Sequence, residues 1–396
     1  MIPKGGIAVI GFLARTFIKN HKEYGLPEVR TAYGLLTGIT GIVLNFLLFA
    51  GKLIAGLVSS SVSVIADAFN NLSDAGSSIV SAVGYRIAAM PADSEHPYGH
   101  GRAEYIAGFV VSASIIFTAL GVGKESVEKI FSPEELIVSP LSFAVLGASV
   151  LVKLYIFAYN RKYGKLIDSA PMKAAATDSL SDCITTLSAV AAIIVYAVWN
   201  INIDGYIGLF ITFVILKAGI EAAKISITPL LGQKADDELI EGIRRDVLAH
   251  EGVIGVHDLA VHNYGVNRNI ISLHAELPAS MSFTEAHDIA DIIENELSGK
   301  YSASVLIHTD PVNVDNIEEV KCREIVMSVL KEIDEGAGIH DLRITERSGK
   351  RYIAFDAEVP FGLKISDGEI KKRLCDEIAG YDSTLIANIE IDKKVY

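Results

Sequence analysis

The stretch ADAFNNLSD at residues 66–74, together with ATDSLSD at residues 176–182, decides how this chain is interpreted. Each stretch carries two oxygen-bearing side chains four residues apart, which are Asn70 with Asp74 and Asp178 with Asp182. On a helix, residues i and i+4 share a face, so each pair can direct two ligands to one point between helices. Each stretch lies in a long apolar segment, where a carboxylate costs at least about 2.5 kcal/mol in a bilayer. The three aspartates therefore need a compensating charge, which a divalent cation would supply.

An interhelical polar clasp is the simpler alternative, because Asn and Ser side chains hydrogen-bond between membrane helices. A clasp accounts for Asn70 alone but poorly for three aspartates in two matched pairs, so metal binding is favoured. Asp67 lies one turn before Asn70 on a similar face. It is a candidate for a residue that supports the ligands or accepts a proton, and a helix-packing hydrogen bond is the alternative.

The composition divides the chain into an apolar half and an acidic half. The mean hydropathy is +0.37, and 50% of the residues are hydrophobic while 21% are charged, which suits a membrane domain joined to a soluble one. From Lys234 onward there are 32 acidic and 18 basic residues, against 16 and 17 before it. An acidic soluble half argues against nucleic acid as a partner. The three cysteines form no Cys-x-x-Cys pair, which disfavours a disulfide framework and a thiolate zinc site.

Six segments are long and apolar enough to cross a bilayer, which requires about 20 residues. They are predicted at residues 34–58, 62–87, 105–127, 141–159, 174–199 and 206–227. The second and fifth are the most polar, so we expect them to face the interior of the bundle. The distribution of basic residues among the loops predicts a multi-pass protein of the cell membrane with both termini in the cytoplasm. Residues 34–230 would form this domain, after a basic amphipathic segment at residues 1–33 that lies on the membrane or is a mobile tail.

The soluble half contains an internal repeat. The sequence GVHDL at residues 255–259 recurs as GIHDL at 338–342, and LHAELP at 273–278 recurs as FDAEVP at 355–360. Each copy is predicted to form a helix, two strands, a helix and a strand. Two tandem cytosolic α+β domains are therefore expected, at residues 235–312 and 318–396.

Together these patterns resemble the cation diffusion facilitator family of divalent metal/proton antiporters. The resemblance covers residues 33–311, and its motifs are the aspartate stretch at 66–74, a loop with Asp93-x-x-His96-x-x-x-His100, and the strands that carry His274 and His308-Thr309-Asp310. It implies a six-helix transmembrane bundle followed by cytosolic α+β domains of ferredoxin-like, βαββ type. It also implies a homodimer that exports a first-row divalent cation, with protons as counter-substrate and no enzymatic activity.

The transport ligands of that family match four positions of this chain, which are Asn70, Asp74, Asp178 and Asp182. Members that handle zinc commonly carry histidine where Asn70 or Asp178 stands, and this chain has neither. One amide oxygen and three carboxylates are hard donors that suit manganese, whereas magnesium gives up its waters reluctantly. The set also resembles the manganese-exporting branch, so Mn²⁺ is the expected substrate. Zn²⁺, Fe²⁺ and cobalt stay open, because the Irving–Williams order gives zinc the higher intrinsic affinity.

Two further ligand sets match the family. In the loop after the second segment, Asp93, His96 and His100 would form a three-ligand site with water as the fourth ligand. The alternative is a turn whose histidines hydrogen-bond backbone carbonyls. In the first soluble domain the matching residues are His257, His274, His287, His308 and Asp310.

A binuclear cytosolic site that clamps two protomers is feasible, because residues 308 and 310 point to the same side of a strand. The second copy keeps His340 but replaces the other histidines and the aspartate with Asp356, Glu369, Glu390 and Asp392. A metal-free packing or dimer domain is favoured for that copy, and a weak, oxygen-rich manganese site is the alternative.

Two interpretations from other functional classes compete with an exporter. An intramembrane aspartyl protease also places aspartates on different helices, but the Tyr-Asp and Gly-x-Gly-Asp contexts of those enzymes are absent around Asp74, Asp178 and Asp182. A non-transporting membrane metal sensor would explain the cytosolic histidines but not the acids at mid-membrane. The favoured hypothesis is proton-coupled efflux by alternating access in a homodimer.

Overall fold

The computed structural model describes residues 8–58, 62–132, 140–199, 201, 203–265 and 268–393. The side chains of residues 62–67, including that of Asp67, lie outside the described part. The chain divides into two compact units near Gln233, a helical unit before it and a mixed α/β unit after it.

Seven helices form the described part of the helical unit: α1 Ala8–Phe17, α2 Pro27–Val58, α3 Val62–Ala88, α4 Ala103–Phe131, α5 Pro140–Leu166, α6 Ala170–Trp199 and α7 Asp204–Ile227. Helices α2 and α5 begin with proline, which suits the first helical position because that residue needs no intrahelical N–H bond. Hydroxyl side chains fit into these apolar helices by donating to the carbonyl four residues earlier, as Ser112 does to Gly108 and Thr212 to Gly208.

Three described stretches are long and apolar enough to cross a membrane by length and composition: Pro27–Ala55, Ala103–Phe131 and Gly205–Ile227. They belong to α2, α4 and α7. Helices α3, α5 and α6 are of similar length but more polar. Each of the six predicted segments corresponds to one of α2–α7, and the crossing of α3, α5 and α6 stays a prediction.

Helix α1 is amphipathic, and its buried face packs against the helical bundle. Ile10, Ala14 and Ile18 recur every four residues and lie in a core cluster with Tyr33 and Tyr159. The opposite face exposes apolar side chains, namely Val9, Phe12 and Phe17. Helix α1 is therefore part of the bundle core, and the location of the segment at residues 1–33 on the membrane surface stays a prediction.

The soluble unit contains two copies of one arrangement. The first copy comprises α8 Asp237–Leu248, β1 Gly255–Asn263, β2 Asn269–Pro278, α9 Phe283–Tyr301 and β3 Ala303–Val312. The second comprises α10 Ile317–Ile333, β4 Gly338–Arg347, β5 Lys350–Val359, α11 Asp367–Tyr381 and β6 Leu385–Lys393. In each sheet the middle strand is antiparallel to the first and parallel to the third. The order is thus αββαβ in both copies, and the expected βαββ label does not describe it.

Each sheet packs its helices on one face and leaves its polar residues on the other. Along β2, Ile271, Leu273 and Ala275 are buried in a core with Ile243 of α8 and Ile293 of α9. Residues between them, such as His274, point to the opposite face because side chains alternate along a strand. The ligand candidates therefore share the open face of the sheet.

A β-bulge interrupts the first strand pair at the same place in each copy. The register shifts between His257 and Ala260 in one copy and between His340 and Arg343 in the other. The residue after each histidine has a left-handed backbone, with φ of 49° at Asp258 and 55° at Asp341. Since a bulge breaks the alternation of side chains, a residue next to a ligand can turn to the ligand's side.

We expect Gly84→Ala to destabilise the helical unit, because a Cβ at this position would overlap the Cβ of Ala107 where α3 crosses α4. Overpacking of this kind typically costs about 1–3 kcal/mol. Gly76→Ala on the same helix is the control, since a Cβ there meets nothing within 4 Å. Thermal unfolding of the purified protein in detergent measures both, and equal melting temperatures for the two variants would show that α3 and α4 do not pack this closely.

Candidate metal-binding sites

Three aspartates of the helical unit converge on one point. Asp74 on α3 and Asp178 and Asp182 on α6 each direct one carboxylate oxygen to within 4.8 Å of the other two. Their helices place them as the i,i+4 spacing requires. Asn70 lies one turn before Asp74 but is exposed, and no described hydrogen bond connects it to the three carboxylates. The structure thus assembles three of the four predicted transport ligands.

A buried lysine, which the sequence interpretation missed, lies between these carboxylates. The Nζ atom of Lys153 on α5 is 2.6 Å from Oδ2 of Asp74 and 2.6 Å from Oδ2 of Asp182, and only 4% of its side chain is exposed. Lys52 on α2 is also buried and interacts electrostatically with Asp74. A signal was available, because each lysine interrupts an apolar segment where an unpaired charge is costly. The chain therefore brings its own compensating cation to the aspartates.

A narrow cavity extends from the aspartates towards the end of the bundle where α2 and α6 begin. It has room of about 30 Å³, which suffices for water. Besides Asp74 and Asp178, its polar lining consists of Thr37, Asn45, Ser77, Ser78, Ser81, Asn160 and Ser179. Such a lining can solvate a cation on its way to the carboxylates.

Buried polar contacts connect the helices at this end of the bundle. Arg30 of α2 pairs with Glu104 of α4 at 3.3 Å, and its Nε donates to the carbonyl oxygen of Ile167 at 2.6 Å. The hydroxyl of Tyr85 on α3 hydrogen-bonds that of Ser169, just before α6. These contacts connect α2, α3 and α4 with the segment between α5 and α6.

The loop between α3 and α4 brings Asp93, His96 and His100 together with one ligand atom each. His100 Nε2 is 3.4 Å from one Asp93 oxygen, and His96 Nδ1 is 3.3 Å from the other. Backbone N–H groups of His96 and Glu95 donate to Asp93 and hold its pKa below the ordinary value. His100 Nδ1 contacts the carbonyl of Pro91 at 3.1 Å, which leaves Nε2 as the nitrogen able to bind a metal. The loop thus combines the predicted turn with the predicted ligand set.

Strand register explains the cytosolic cluster. His257 pairs with His274 across β1 and β2, and His274 pairs with His308 across β2 and β3, so the three imidazoles form a row. Asp310 joins the row, with Oδ2 at 2.8 Å from His274 and 3.2 Å from His257, and Oδ1 at 3.3 Å from His308. One carboxylate oxygen therefore faces His257 and His274, and the other faces His308.

The ionisable groups of this row stabilise one another. Burial alone would lower the pKa of His257, but the carboxylates of Asp258 and Asp310 raise it to about 9. Burial alone would raise the pKa of Asp310, yet the imidazoles of His257 and His274 hold it well below its ordinary value. The ligands are therefore held in place by charge pairs among themselves, and a metal ion must replace a proton on His257.

Two residues of the cytosolic set depart from the sequence prediction. His287 lies on α9 with 62% of its side chain exposed, stacked on Phe283 and 3.9 Å from Asp291, and is not among the clustered ligand atoms. Asp258 was not predicted, but the bulge turns it towards His257, at 3.5 Å. An aspartate directly after a ligand histidine in both repeats was the available signal.

Comparison with known proteins adds to this geometry. Residues 38–231 match the cation efflux transmembrane domain, and residues 235–312 match the cytoplasmic domain of cation efflux proteins. An uncharacterised transporter of Methanocaldococcus jannaschii is 32% identical over 276 residues, which cover 69% of this chain and 97% of that protein. The manganese efflux system protein MneP of Bacillus subtilis is 26% identical, over 69% of this chain and 94% of its own. The cation-efflux pump FieF of Shewanella oneidensis is 28% identical, over 67% and 89%.

We expect Lys153→Gln to tighten divalent-metal binding at the aspartates by tenfold or more, about 1.4 kcal/mol, because a metal ion no longer has to displace the ammonium group. Isothermal titration of the purified protein with Mn²⁺ measures the change. Lys173→Gln is the control, since Lys173 also lies on the helical unit but pairs with Asp168 instead. Weaker binding in Lys153→Gln would mean that the lysine positions the carboxylates for the metal rather than competing with it.

Proposed function

Because the chain belongs to the cation efflux family, the cation diffusion facilitators, whose members are transporters and not enzymes, we propose that it exports divalent transition-metal cations from the cytoplasm with Mn²⁺ as the preferred substrate. The convergence of Asp74, Asp178 and Asp182 carries this proposal. Hard carboxylate donors without imidazole suit manganese better than zinc. Two relatives, MneP and MneS of Bacillus subtilis, bear the name of manganese efflux system proteins. Zinc, iron(II) and cobalt are the competing substrates.

We propose that α2–α7 all cross the membrane, with both termini and the soluble unit in the cytoplasm. Helices α3, α5 and α6 could cross despite their polarity, because their charged residues Asp74, Lys153 and Asp182 face one another in the bundle instead of facing lipid. In this orientation the cavity extends from the aspartates towards the cytoplasmic side, where the contacts of Arg30 and Tyr85 would restrict the access of an ion. Separation of these contacts would load the site, and their return would commit the ion to the other side.

Charge balance governs the transport cycle in this proposal. Three carboxylates and Lys153 together carry a charge of −2, before Lys52 near Asp74 is counted. A divalent ion that displaces the ammonium group from the carboxylates, while the lysine stays in the bundle, would offset this charge. Leaving of the ion restores the excess negative charge, which protons from outside offset by binding to the carboxylates. Their delivery to the cytoplasm couples export to the proton gradient, as the family resemblance implies.

The soluble unit serves assembly and regulation in this scheme. The match of residues 235–312 to the cytoplasmic domain supports a homodimer joined through that domain. Metal bound by the row of His257, His274 and His308 would favour one arrangement of the soluble domains and thereby shift the population towards a transport-competent dimer. The loop ligands would assist stability or coupling.

We expect Asp178→Asn and Asp182→Asn each to abolish Mn²⁺ flux, because each removes a charged ligand while keeping the shape of the side chain. Flux is measured in proteoliposomes with an imposed pH gradient. Asp168→Asn is the control, since Asp168 is exposed and pairs with Lys173 away from the cluster. Near-normal flux in both ligand variants would refute the site, and wild-type protein that binds metal without any flux would favour the sensor.

Asn70→His tests the metal preference. If Asn70 contributes a ligand when the ion is bound, imidazole at this position should raise the ratio of zinc flux to manganese flux, since imidazole is the better zinc donor. Leu72→His places the same ring on α3, turned by about 200° from Asn70, and should leave the ratio unchanged. An equal ratio in Asn70→His and wild type would make Asn70 a structural residue.

A further inference from the structure

The open faces of the two soluble sheets meet at a pair of stacked histidines. The rings of His257 on β1 and His340 on β4 lie 4.2 Å apart with 21° between their planes. Only 5% of the His340 side chain is exposed. Among the described residues, neither ring nitrogen of His340 has a hydrogen-bond partner. A buried imidazole without partners is costly, so it calls for a ligand that its nitrogens could bind.

Carboxylates from both domains surround this ring. Its Nε2 is 3.7 Å from Oδ1 of Asp258, and its Nδ1 is 3.9 Å from Oδ2 of Asp356. These separations are too long for hydrogen bonds. They approach the spacing of two ligand atoms that share one ion, which is about 3.0–3.5 Å for metal–ligand bonds near 2.1 Å.

We propose that Asp258 of the first soluble domain and His340 and Asp392 of the second form a divalent-metal site that joins the two domains. One ligand atom from each of these residues lies within 4.8 Å of the others. The site goes beyond metal export, because it requires no transport. It also includes residues of the second copy, which begins after the matched cytoplasmic domain ends at residue 312.

Asp258 connects this site to the histidine row. Its Oδ2 faces His257 at 3.5 Å and His274 at 4.0 Å, while its Oδ1 faces His340. The left-handed backbone at the bulge turns the side chain into this position, where a regular strand would point it to the helices. The carboxylate can therefore bridge an ion in the row and an ion at the junction.

The second soluble domain has the ligands for a metal site shared with the first domain rather than for a site of its own. The register makes His340 the counterpart of His257 and Asp392 the counterpart of Asp310. Asp356 and Glu390 stand where the first copy has His274 and His308, so only one imidazole is left in the second row. One imidazole, two carboxylates and water form a mixed set that suits zinc, iron(II) or manganese.

Binding at this site would fix the second domain against the first. Metal binding can then stiffen the soluble unit at a metal concentration set by the junction ligands, and the shared carboxylate of Asp258 would couple this binding to the histidine row. Asp392→Asn removes one ligand charge at nearly constant shape. Glu390→Gln is its matched control, because Glu390 is on the same face of β6 but in no ligand group.

The test counts ions in the full-length protein. Metal-stripped protein in detergent is dialysed against Zn²⁺ alone, and the ions per chain are measured by elemental analysis. Wild type and Glu390→Gln should hold one ion more than Asp392→Asn, and His340→Gln should show the same loss. An equal count in wild type and Asp392→Asn would overturn the proposal.

Amide hydrogen exchange shows which strands are stabilised by bound Zn²⁺, and it does not depend on a measurement of transport. Zn²⁺ should slow exchange in β4 and β6 of wild type, whereas in Asp392→Asn it should slow exchange only in β1–β3. Slowing confined to β1–β3 in wild type would place all bound metal in the first domain and contradict the junction site. Loss of transport in other variants would leave both readouts unaffected, so the two proposals fail separately.

Discussion

The cost of negative charge in a low-dielectric bundle is the constraint on which the helical unit depends. Three aspartates on α3 and α6 cannot share one point unless cations offset them. Lys153 supplies that offset from α5, with both of its ion pairs at 2.6 Å. The ammonium group thus occupies a position that a metal ion would take. The three carboxylates are kept together in this way by a tethered cation.

A tethered cation changes what a carrier must do between transport events. Without Lys153, the three carboxylates of the empty site would carry three negative charges. With Lys153, their net charge falls to −2, so less charge has to be offset by other groups. The polar lining of the cavity contributes to the same balance, because hydroxyl and amide groups next to the carboxylates can solvate charge.

The sequence could predict those features that depend on residues close together in the chain, and it could not predict those that depend on tertiary packing. Helical spacing was local, so Asp74, Asp178 and Asp182 were predicted from i,i+4 pairs, whereas His257, His274 and His308 were predicted from the family resemblance. Lys153 was missed because its partners lie 79 and 29 positions away, and only tertiary packing brings them together. Asp258 was missed because regular alternation points it away from the row, and the bulge reverses that direction. His287 matched a motif, yet the orientation of α9 leaves it exposed.

In the soluble unit, the charges of the histidines and of Asp310 offset one another. Asp310 is a negative group that contacts two imidazoles, those of His257 and His274. Lys153 in the helical unit is a positive group that contacts two carboxylates. A metal ion that binds at either cluster would have to replace an internal ion pair. Its affinity would then depend on the difference in free energy between the metal–ligand contacts and the ion pairs that they replace. The second copy places one buried histidine, His340, against His257 of this row. Asp356 and Glu390 stand at the positions of His274 and His308, so the corresponding row of the second sheet has one imidazole instead of three. A metal ion at the proposed junction site would therefore be bound between the two sheets rather than within the second sheet alone.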